Sequence, residues 1–215
     1  AQIYDETGNT IGDEFQVNTY TSNPQTNPSI TSLANNGFVV TWQSYGQDTD
    51  EWGVYGQIFD KDGNKNTAEF QVNNYTSSFQ QFPSVVTLSD GSFVVVWESF
   101  GQDVGGSSYK GGIYGKRYNS DGSVLNDEFQ INSYTYDKQV DASIAALNGG
   151  GFIVAWTSSD QDGYWSTAAQ RYDENNNRIG GEFRLDSNRD GAQTNPVVTG
   201  LPDGGFVAAW RSWGD

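Results

Sequence analysis

Phe38-Val39-Val40-Thr41-Trp42 is the stretch that decides the fold, because closely similar stretches return three times along the chain. The four copies end in tryptophans that are 55, 59 and 54 residues apart. The later copies are Phe93–Trp97, Phe152–Trp156 and Phe206–Trp210. A second phrase, Glu-Phe-Gln-Val-Asn and its variants, keeps the same spacing at Phe15, Phe70, Phe129 and Phe183. A repeat of this length in constant register predicts a repetitive architecture such as a propeller or a solenoid.

Each repeat is predicted to contain four short strands, which we call A, B, C and D. In the second repeat, strands A and B are joined by Asp90-Gly91, a dipeptide typical of tight hairpin turns. Strand B is a continuous apolar run rather than an alternating one, which indicates that both of its faces are covered. The four predicted strands of this repeat are Pro83–Leu88, Ser92–Glu98, Gly112–Tyr118 and Glu128–Asn132.

We therefore predict an all-β protein with a single domain, a four-bladed antiparallel β-propeller over residues 1–215. A stacked solenoid is the alternative, although solenoid repeats usually carry fewer strands. The chain begins with residues similar to a strand C and ends after a strand B. The N- and C-terminal half-repeats are therefore expected to close the fourth blade together. The expected blades are about 25–74, 80–133, 139–187, and 193–215 with 1–19.

The composition excludes several classes of function. The chain has 11 basic and 27 acidic residues and a net charge of −16, which disfavours nucleic acid as a partner. No apolar run approaches the roughly 20 residues that a membrane span requires. Histidine and cysteine are absent, which excludes the usual nucleophilic triads. No acidic pair stands out in the sequence, so no catalytic residue is predicted.

The whole chain resembles the tandem repeats of large secreted bacterial surface proteins, which often accompany calcium-binding segments of the RTX type. The shared phrases are Phe-Val-Val-x-Trp, Gly-Gln-Asp, Tyr-Gly-Gln-Arg-Phe and Glu-Phe-Gln-Val-Asn. The second repeat carries versions of them at Phe93–Trp97, Gly101–Asp103, Ile113–Tyr118 and Glu128–Asn132. The resemblance implies a propeller-type protein that is secreted or held at a bacterial cell surface. It also implies a role in adhesion or recognition, and it implies no catalytic residue.

The loops between strands B and C are the first candidate for a binding site. They differ in length between repeats, and length variation at one rim of a rigid scaffold is where binding sites usually develop. They also carry aromatic rings beside amide groups, a combination that suits sugars. Packing of these rings over neighbouring loops is the alternative interpretation. The candidate ligand-binding residues are Trp52, Tyr109, Tyr164, Trp165, Trp213, Gln47, Gln102 and Gln161.

Carboxylates in the same loops suggest a calcium site, because calcium prefers six to eight oxygen ligands. The candidate metal ligands are Asp48, Asp50, Asp103, Asp160 and Asp162. The alternative is that these Asp and Gln side chains satisfy the backbone of their own loops. A further recurring amide, at Gln25, Gln80, Gln139 and Gln193, is expected to close the loop between strands D and A. The alternative is that these four amides surround a narrow mouth near the axis and bind an ion or water.

Together these features predict an extracellular, non-enzymatic module that binds glycans or a matrix polymer through its B–C loops. A calcium-stabilised structural repeat of a surface layer or giant adhesin, with lateral self-association, is the first alternative. A carbohydrate-active enzyme is the second. It would need two carboxyl groups about 5–10 Å apart in a groove.

Overall fold

The computed structural model describes residues 1–103, 110–159, 164–187 and 190–214. The regular elements in these ranges are all β-strands. No helix long and apolar enough to cross a membrane occurs in them. The strands are β1 (Ile3–Tyr4), β2 (Thr10–Ile11), β3 (Gln25–Ser32), β4 (Phe38–Tyr45), β5 (Trp52–Phe59), β6 (Phe70–Gln71), β7 (Gln80–Thr87), β8 (Phe93–Phe100), β9 (Gly111–Tyr118), β10 (Val124–Gln130), β11 (Gln139–Ala146), β12 (Phe152–Ser159), β13 (Trp165–Tyr172), β14 (Arg178–Arg184), β15 (Gln193–Gly200) and β16 (Phe206–Ser212).

Three complete four-stranded antiparallel sheets form the body of the molecule. They are β3–β6, β7–β10 and β11–β14, and within each sheet the strands lie in chain order. The longest ladder joins strands B and C; in the first sheet it runs without a break from the pair Phe38–Phe59 to the pair Tyr45–Trp52. The all-β prediction and the A-to-D plan of each repeat are confirmed.

The A strands hold neighbouring sheets together. β7 contacts β3, β4 and β5 of the sheet before it, and β11 and β15 contact their preceding sheets in the same way. Each A strand is also an edge of its own sheet. The strands β3, β7, β11 and β15 therefore form the inner side of an arc of sheets, as expected for a propeller-type arrangement.

The hydrophobic core lies between the sheets, which explains the unbroken apolar character of the B strands. Val94 packs toward the following sheet and Trp97 toward the preceding one, and both are fully buried. The ring of Phe93 stacks on Tyr118 with centroids 5.1 Å apart. Gly115 of strand C leaves room for strand D, because an added Cβ would lie only 3.0 Å from the ring of Phe129.

The two terminal half-repeats form separate two-stranded sheets, so the closure of a fourth blade by both termini stays a prediction. Among the described residues, β1 pairs only with β2, and β15 only with β16. Each half-repeat is instead held by the complete sheet beside it. Phe15 packs against Phe59 of the first sheet at 5.5 Å, whereas Phe206 packs against Phe183 of the third at 6.3 Å.

This arrangement leaves two apolar surfaces uncovered. Val207 is 50% exposed, although its counterparts Val39 and Val94 in complete sheets are fully buried. Ile30 is 62% exposed, whereas its counterpart Val85 is 8% exposed. A cleft of about 390 Å³ lies at the second surface between the N-terminal strands and the first sheet; no acidic side chain lines it, and its apolar wall is formed by Ile3, Phe15, Ile30 and Phe38.

Candidate functional site

Each inner strand contains a bulge at its third residue, and these residues lie at equivalent positions around the arc. The pairing register shifts there in all four A strands, for example between Gln81 and Ser84. The third residue has a positive φ in each case. We call this the bulge position; it holds Asn27 (55°), Phe82 (53°), Asp141 (57°) and Asn195 (54°). Asn and Asp tolerate this left-handed conformation better than other residues with a side chain.

The backbone N–H of each later bulge residue donates a hydrogen bond to the preceding sheet. The acceptor is always the side chain that follows the B-strand tryptophan, which we call the acceptor position. The three bonds run from Phe82 N to Gln43 Oε1 (2.9 Å), from Asp141 N to Glu98 Oε1 (2.6 Å) and from Asn195 N to Thr157 Oγ1 (2.9 Å). A cross-sheet hydrogen bond thus fixes each of the three later bulges.

Glu98 is a carboxylic acid at a position where the other two sheets use neutral groups. It is 2% exposed and lies between the second and third sheets. Burial raises the pKa of Glu98 to about 7, and the nearby negative charge of Asp141 acts in the same direction. The N–H of Asp141 and the amide of Gln81 oppose this increase by donating hydrogen bonds. Glu98 can therefore keep its proton up to neutral pH.

Asp141 adjoins Glu98 and lies partly exposed on the inner strand β11. Burial raises the pKa of this carboxyl group too, while a hydrogen bond from Thr157 Oγ1 (3.2 Å) lowers it. The structure thus places a buried carboxyl group that holds its proton beside a more accessible one. Two neighbouring carboxyl groups in different surroundings can act as a proton donor and a base.

The raised pKa of Glu98 predicts that the folded protein loses stability as the pH rises. Between the ordinary value of 4.5 and about 7, the folded state binds a proton that the unfolded state has released. Stability therefore falls through this interval as the pH increases. We expect the melting temperature to fall less between pH ~5 and ~8 in Glu98→Gln than in the unmodified protein. Glu6→Gln, an exposed control with the same loss of charge, should retain the full decrease; equal slopes in all three proteins would contradict this assignment.

Gln and Asp side chains of the first two B–C loops bond within their own sheets. Gln102 Nε2 donates to Glu128 Oε1 at 2.5 Å. Asp103 Oδ1 accepts hydrogen bonds from Tyr114 (2.7 Å) and Gln130 (2.9 Å). In the first sheet, Gln47 donates in the same way to Glu69, and Asp48 accepts from Gln71 at 3.0 Å. These contacts favour the loop-stabilising interpretation of the sequence pattern.

The predicted metal ligands do not form a site in the part of the chain that the structure describes. No group of three or more His, Cys, Asp or Glu side chains with metal-binding geometry occurs there. Asp50 Oδ2 accepts the N–H of Ser78 at 3.1 Å. Asp160, Asp162, Gln161 and Tyr109 lie outside the described residues. Calcium binding stays a prediction; a higher melting temperature in calcium than in chelator would support it.

The predicted aromatic residues are distributed over several sheets. Trp52 packs edge-on against Tyr45 at 5.3 Å, and Arg211 lies 3.6 Å from the ring centre of Trp213. Trp165 begins β13, and the preceding Tyr164 is 53% exposed. The structure therefore places Trp52, Trp165 and Trp213 in or beside three different sheets.

The recurring glutamines bond to the D–A loop or to the B-strand tryptophan of their own repeat. Gln139 Oε1 accepts the indole N–H of Trp156 at 3.1 Å, and Gln80 Nε2 donates to the carbonyl of Ser77 at 2.8 Å. Gln193 binds Trp210 in the same way as Gln139 binds Trp156, and Gln25 accepts from Asn18 at 2.8 Å.

Sequence reasoning missed Glu98, Asp141 and Phe82. A signal was present, because these residues depart from the pattern of the repeat. The acceptor position is neutral in the first and third repeats, and the bulge position is Asn in the first and fourth. What could not be recognised without the structure is that Glu98 and Asp141, 43 residues apart, are joined by a hydrogen bond.

Comparisons with known proteins give matches in structure only. No protein-family model and no curated protein matches the chain. A thermostable family-43 glycoside hydrolase is 12% identical with a TM-score of 0.56; the match covers 86% of this chain and 64% of that one. The family-93 α-L-arabinofuranosidase of Fusarium graminearum in complex with arabinobiose is 12% identical with a TM-score of 0.57; the match covers 88% of this chain and 58% of that one. An endo-arabinase from Bacteroides thetaiotaomicron is 13% identical with a TM-score of 0.53; the match covers 94% of this chain and 76% of that one.

These similarities show the fold, that of β-propeller glycoside hydrolases. The chain spans about 60% of the length of several of these enzymes. The prediction of a non-enzymatic adhesion or lectin-like module is contradicted, because the structural neighbours of the chain include arabinofuranosidases, an endo-arabinase and a xylosidase. The prediction that the chain is not an enzyme is corrected for the same reason. Carbohydrate remains the expected partner, but in the neighbours it is a substrate.

Proposed function

We propose that this chain is a carbohydrate-active domain that hydrolyses glycosidic bonds, with Glu98 and Asp141 as its two carboxyl groups. The observation that carries the proposal is that the buried carboxyl group of Glu98 accepts the backbone N–H of Asp141 at 2.6 Å and lies within reach of the negative charge of Asp141. The names of the structural neighbours support glycans that contain arabinose or xylose as the substrate class. The resemblance to secreted bacterial repeats supports an extracellular location.

The two carboxyl groups are suited to the proton transfers of glycoside hydrolysis, for which they would need to lie about 5–10 Å apart in a groove. Glu98 holds a proton near neutral pH and is suited to protonate the leaving oxygen. Asp141 is the more accessible group and is suited to take a proton from the attacking water. Glu98 gives one proton to the leaving oxygen and Asp141 takes one from water. Transfer of that proton from Asp141 to Glu98 then restores the starting state.

A purely structural role does not explain the carboxylic acid at position 98. The cross-sheet hydrogen bond needs only an acceptor, and Gln43 and Thr157 provide one without an ionisable group. A buried acid costs stability whenever it is ionised, so an amide would hold the bulge at lower cost. The same comparison applies to Asp141, because Asn27 and Asn195 adopt its backbone conformation.

The direct test is a hydrolysis assay on arabinan, xylan, and aryl arabinofuranosides and xylosides. We expect release of reducing sugar or of the aryl group from at least one substrate. Asp141→Asn should lose this activity while it keeps the fold, because asparagine occupies two equivalent bulges. Hydrolysis of none of these substrates, or full activity of Asp141→Asn, would contradict the proposal.

The number of blades stays part of this proposal. Three complete sheets and two half-sheets amount to four blades only if the half-sheets meet. In the first sheet Val39 pairs with Ile58, so the equivalent pair would be Val207 with Ile3. The chain has no natural cysteine. If four blades close, Ile3→Cys with Val207→Cys should form a disulfide within one chain on oxidation, seen as a faster-migrating monomer on non-reducing gels. Failure to form it would favour the open arc.

A further inference from the structure

Phe82 has an unusual backbone conformation for a large aromatic residue. Its φ of 53° lies in the left-handed region, where a bulky side chain is an outlier. The other three bulge positions hold Asn27, Asp141 and Asn195, which adopt the same conformation with less strain. Strain of this kind persists where the surrounding structure enforces it, and it concentrates at binding and active sites.

Packing does not account for the phenylalanine. The Phe82 side chain is 43% exposed, whereas most large apolar residues of its sheet are buried. The cross-sheet bond at this bulge uses the backbone N–H of Phe82 and the side chain of Gln43, and any residue except proline could donate it. Neither the core nor the cross-sheet hydrogen bond therefore requires an aromatic ring at position 82.

Phe82 lies next to the carboxyl pair. Its neighbour Gln81 donates a hydrogen bond to Glu98 Oε2 at 3.4 Å, and Glu98 Oε1 accepts the N–H of Asp141. Phe82 and Asp141 hold the same position on the adjacent inner strands β7 and β11. A partly exposed aromatic face and a partly exposed carboxylate thus lie on neighbouring strands at the same level of the arc.

We propose that Phe82 is a substrate-positioning residue whose ring stacks on a sugar unit of a glycan held at Asp141. The inference rests on the proposed function and extends it by naming the group that orients the substrate. Sugar rings present flat C–H faces that pack on aromatic rings, while their hydroxyl groups need polar partners. The inner side of the arc supplies both, because Asn27 and Asn195 occupy the remaining bulge positions.

The test replaces Phe82 with the residue that the first and fourth repeats carry. For Phe82→Asn we expect KM to rise about tenfold with kcat changed less than about threefold, because stacking is lost and the carboxyl pair is untouched. The melting temperature should stay the same or rise, since the strained aromatic residue is gone. Phe82→Tyr should restore the KM. Ile30→Asn, which removes another exposed apolar side chain of an inner strand, is the control and should leave KM unchanged.

An unchanged KM in Phe82→Asn would overturn the proposal. If the unmodified protein hydrolyses nothing, calorimetric titration with arabino- and xylo-oligosaccharides separates the two proposals. Oligosaccharide binding that weakens about tenfold in Phe82→Asn, but not in Ile30→Asn, would support the stacking role and would reject only hydrolysis. Equal affinity in all variants, or no binding by the unmodified protein, would overturn the role of Phe82.

Discussion

Glu98→Gln is expected to remove hydrolysis without unfolding the protein. The amide keeps an oxygen that can accept the N–H of Asp141, as Gln43 does for Phe82 at the equivalent bulge. It cannot donate a proton to a leaving group. Loss of a general acid lowers the rate by about a hundredfold to ten-thousandfold, so kcat should fall within this range while the circular dichroism spectrum stays the same.

Aryl glycosides with good leaving groups provide a sharp control for this variant. They need little protonation of the leaving oxygen, so they should retain far more activity in Glu98→Gln than natural glycans do. Asp141→Asn should lose activity on both kinds of substrate, because its role is at the water. Equal losses on both substrates in Glu98→Gln would contradict the assignment of Glu98 as the acid, and full activity would remove it from the site.

Trp156→Ala is expected to be among the most destabilising single substitutions, and Trp210→Ala is its matched control. The two residues hold the same place in successive repeats, and each indole N–H binds an equivalent glutamine at 3.1 Å. They differ in burial, since Trp156 is fully buried and Trp210 is 38% exposed. Removing a buried tryptophan leaves a cavity and costs about 3–5 kcal/mol.

The free energy of unfolding, measured by denaturation followed with circular dichroism, should therefore fall by about 3–5 kcal/mol in Trp156→Ala. In Trp210→Ala the loss should be close to that of one hydrogen bond and part of a side chain, about 1–2 kcal/mol. Equal losses of unfolding free energy would mean that the hydrogen bond dominates at both sites, or that another part of the molecule covers Trp210 in solution. In that case the surface around Val207 and Trp210 would not be open in solution.

The sequence predicted the secondary structure of this chain well because repetition averages out local ambiguity. Phe38–Trp42 alone could be a buried strand or part of a buried helix, but four copies flanked by Asp-Gly or similar turns leave one interpretation. The state of the terminal half-repeats was not predictable in this way. It depends on how the sheets pack on one another through side chains far apart in the sequence, such as those around Trp97 and Val94.

The candidate site was hidden for a different reason. Recurring residues such as Gln102 and Asp103 attract notice, yet a repeat repeats what its fold needs, and here these residues stabilise loops. Glu98 and Asp141 each occur once at their positions, and the chemistry appears only when the third sheet packs on the second. Burial, which raises the pKa of Glu98, is likewise a property of that packing.

The outer edge of β16 has a further consequence for how the protein behaves at high concentration. Within the described residues β16 pairs only with β15, so one row of its backbone N–H and C=O groups faces away from the sheet. Such an edge is a template for unwanted strand addition from another molecule. The net charge of −16 opposes that addition by mutual repulsion between molecules. The negative charge of the chain thus opposes aggregation through this edge. Concentrated salt or mild acid would weaken that repulsion.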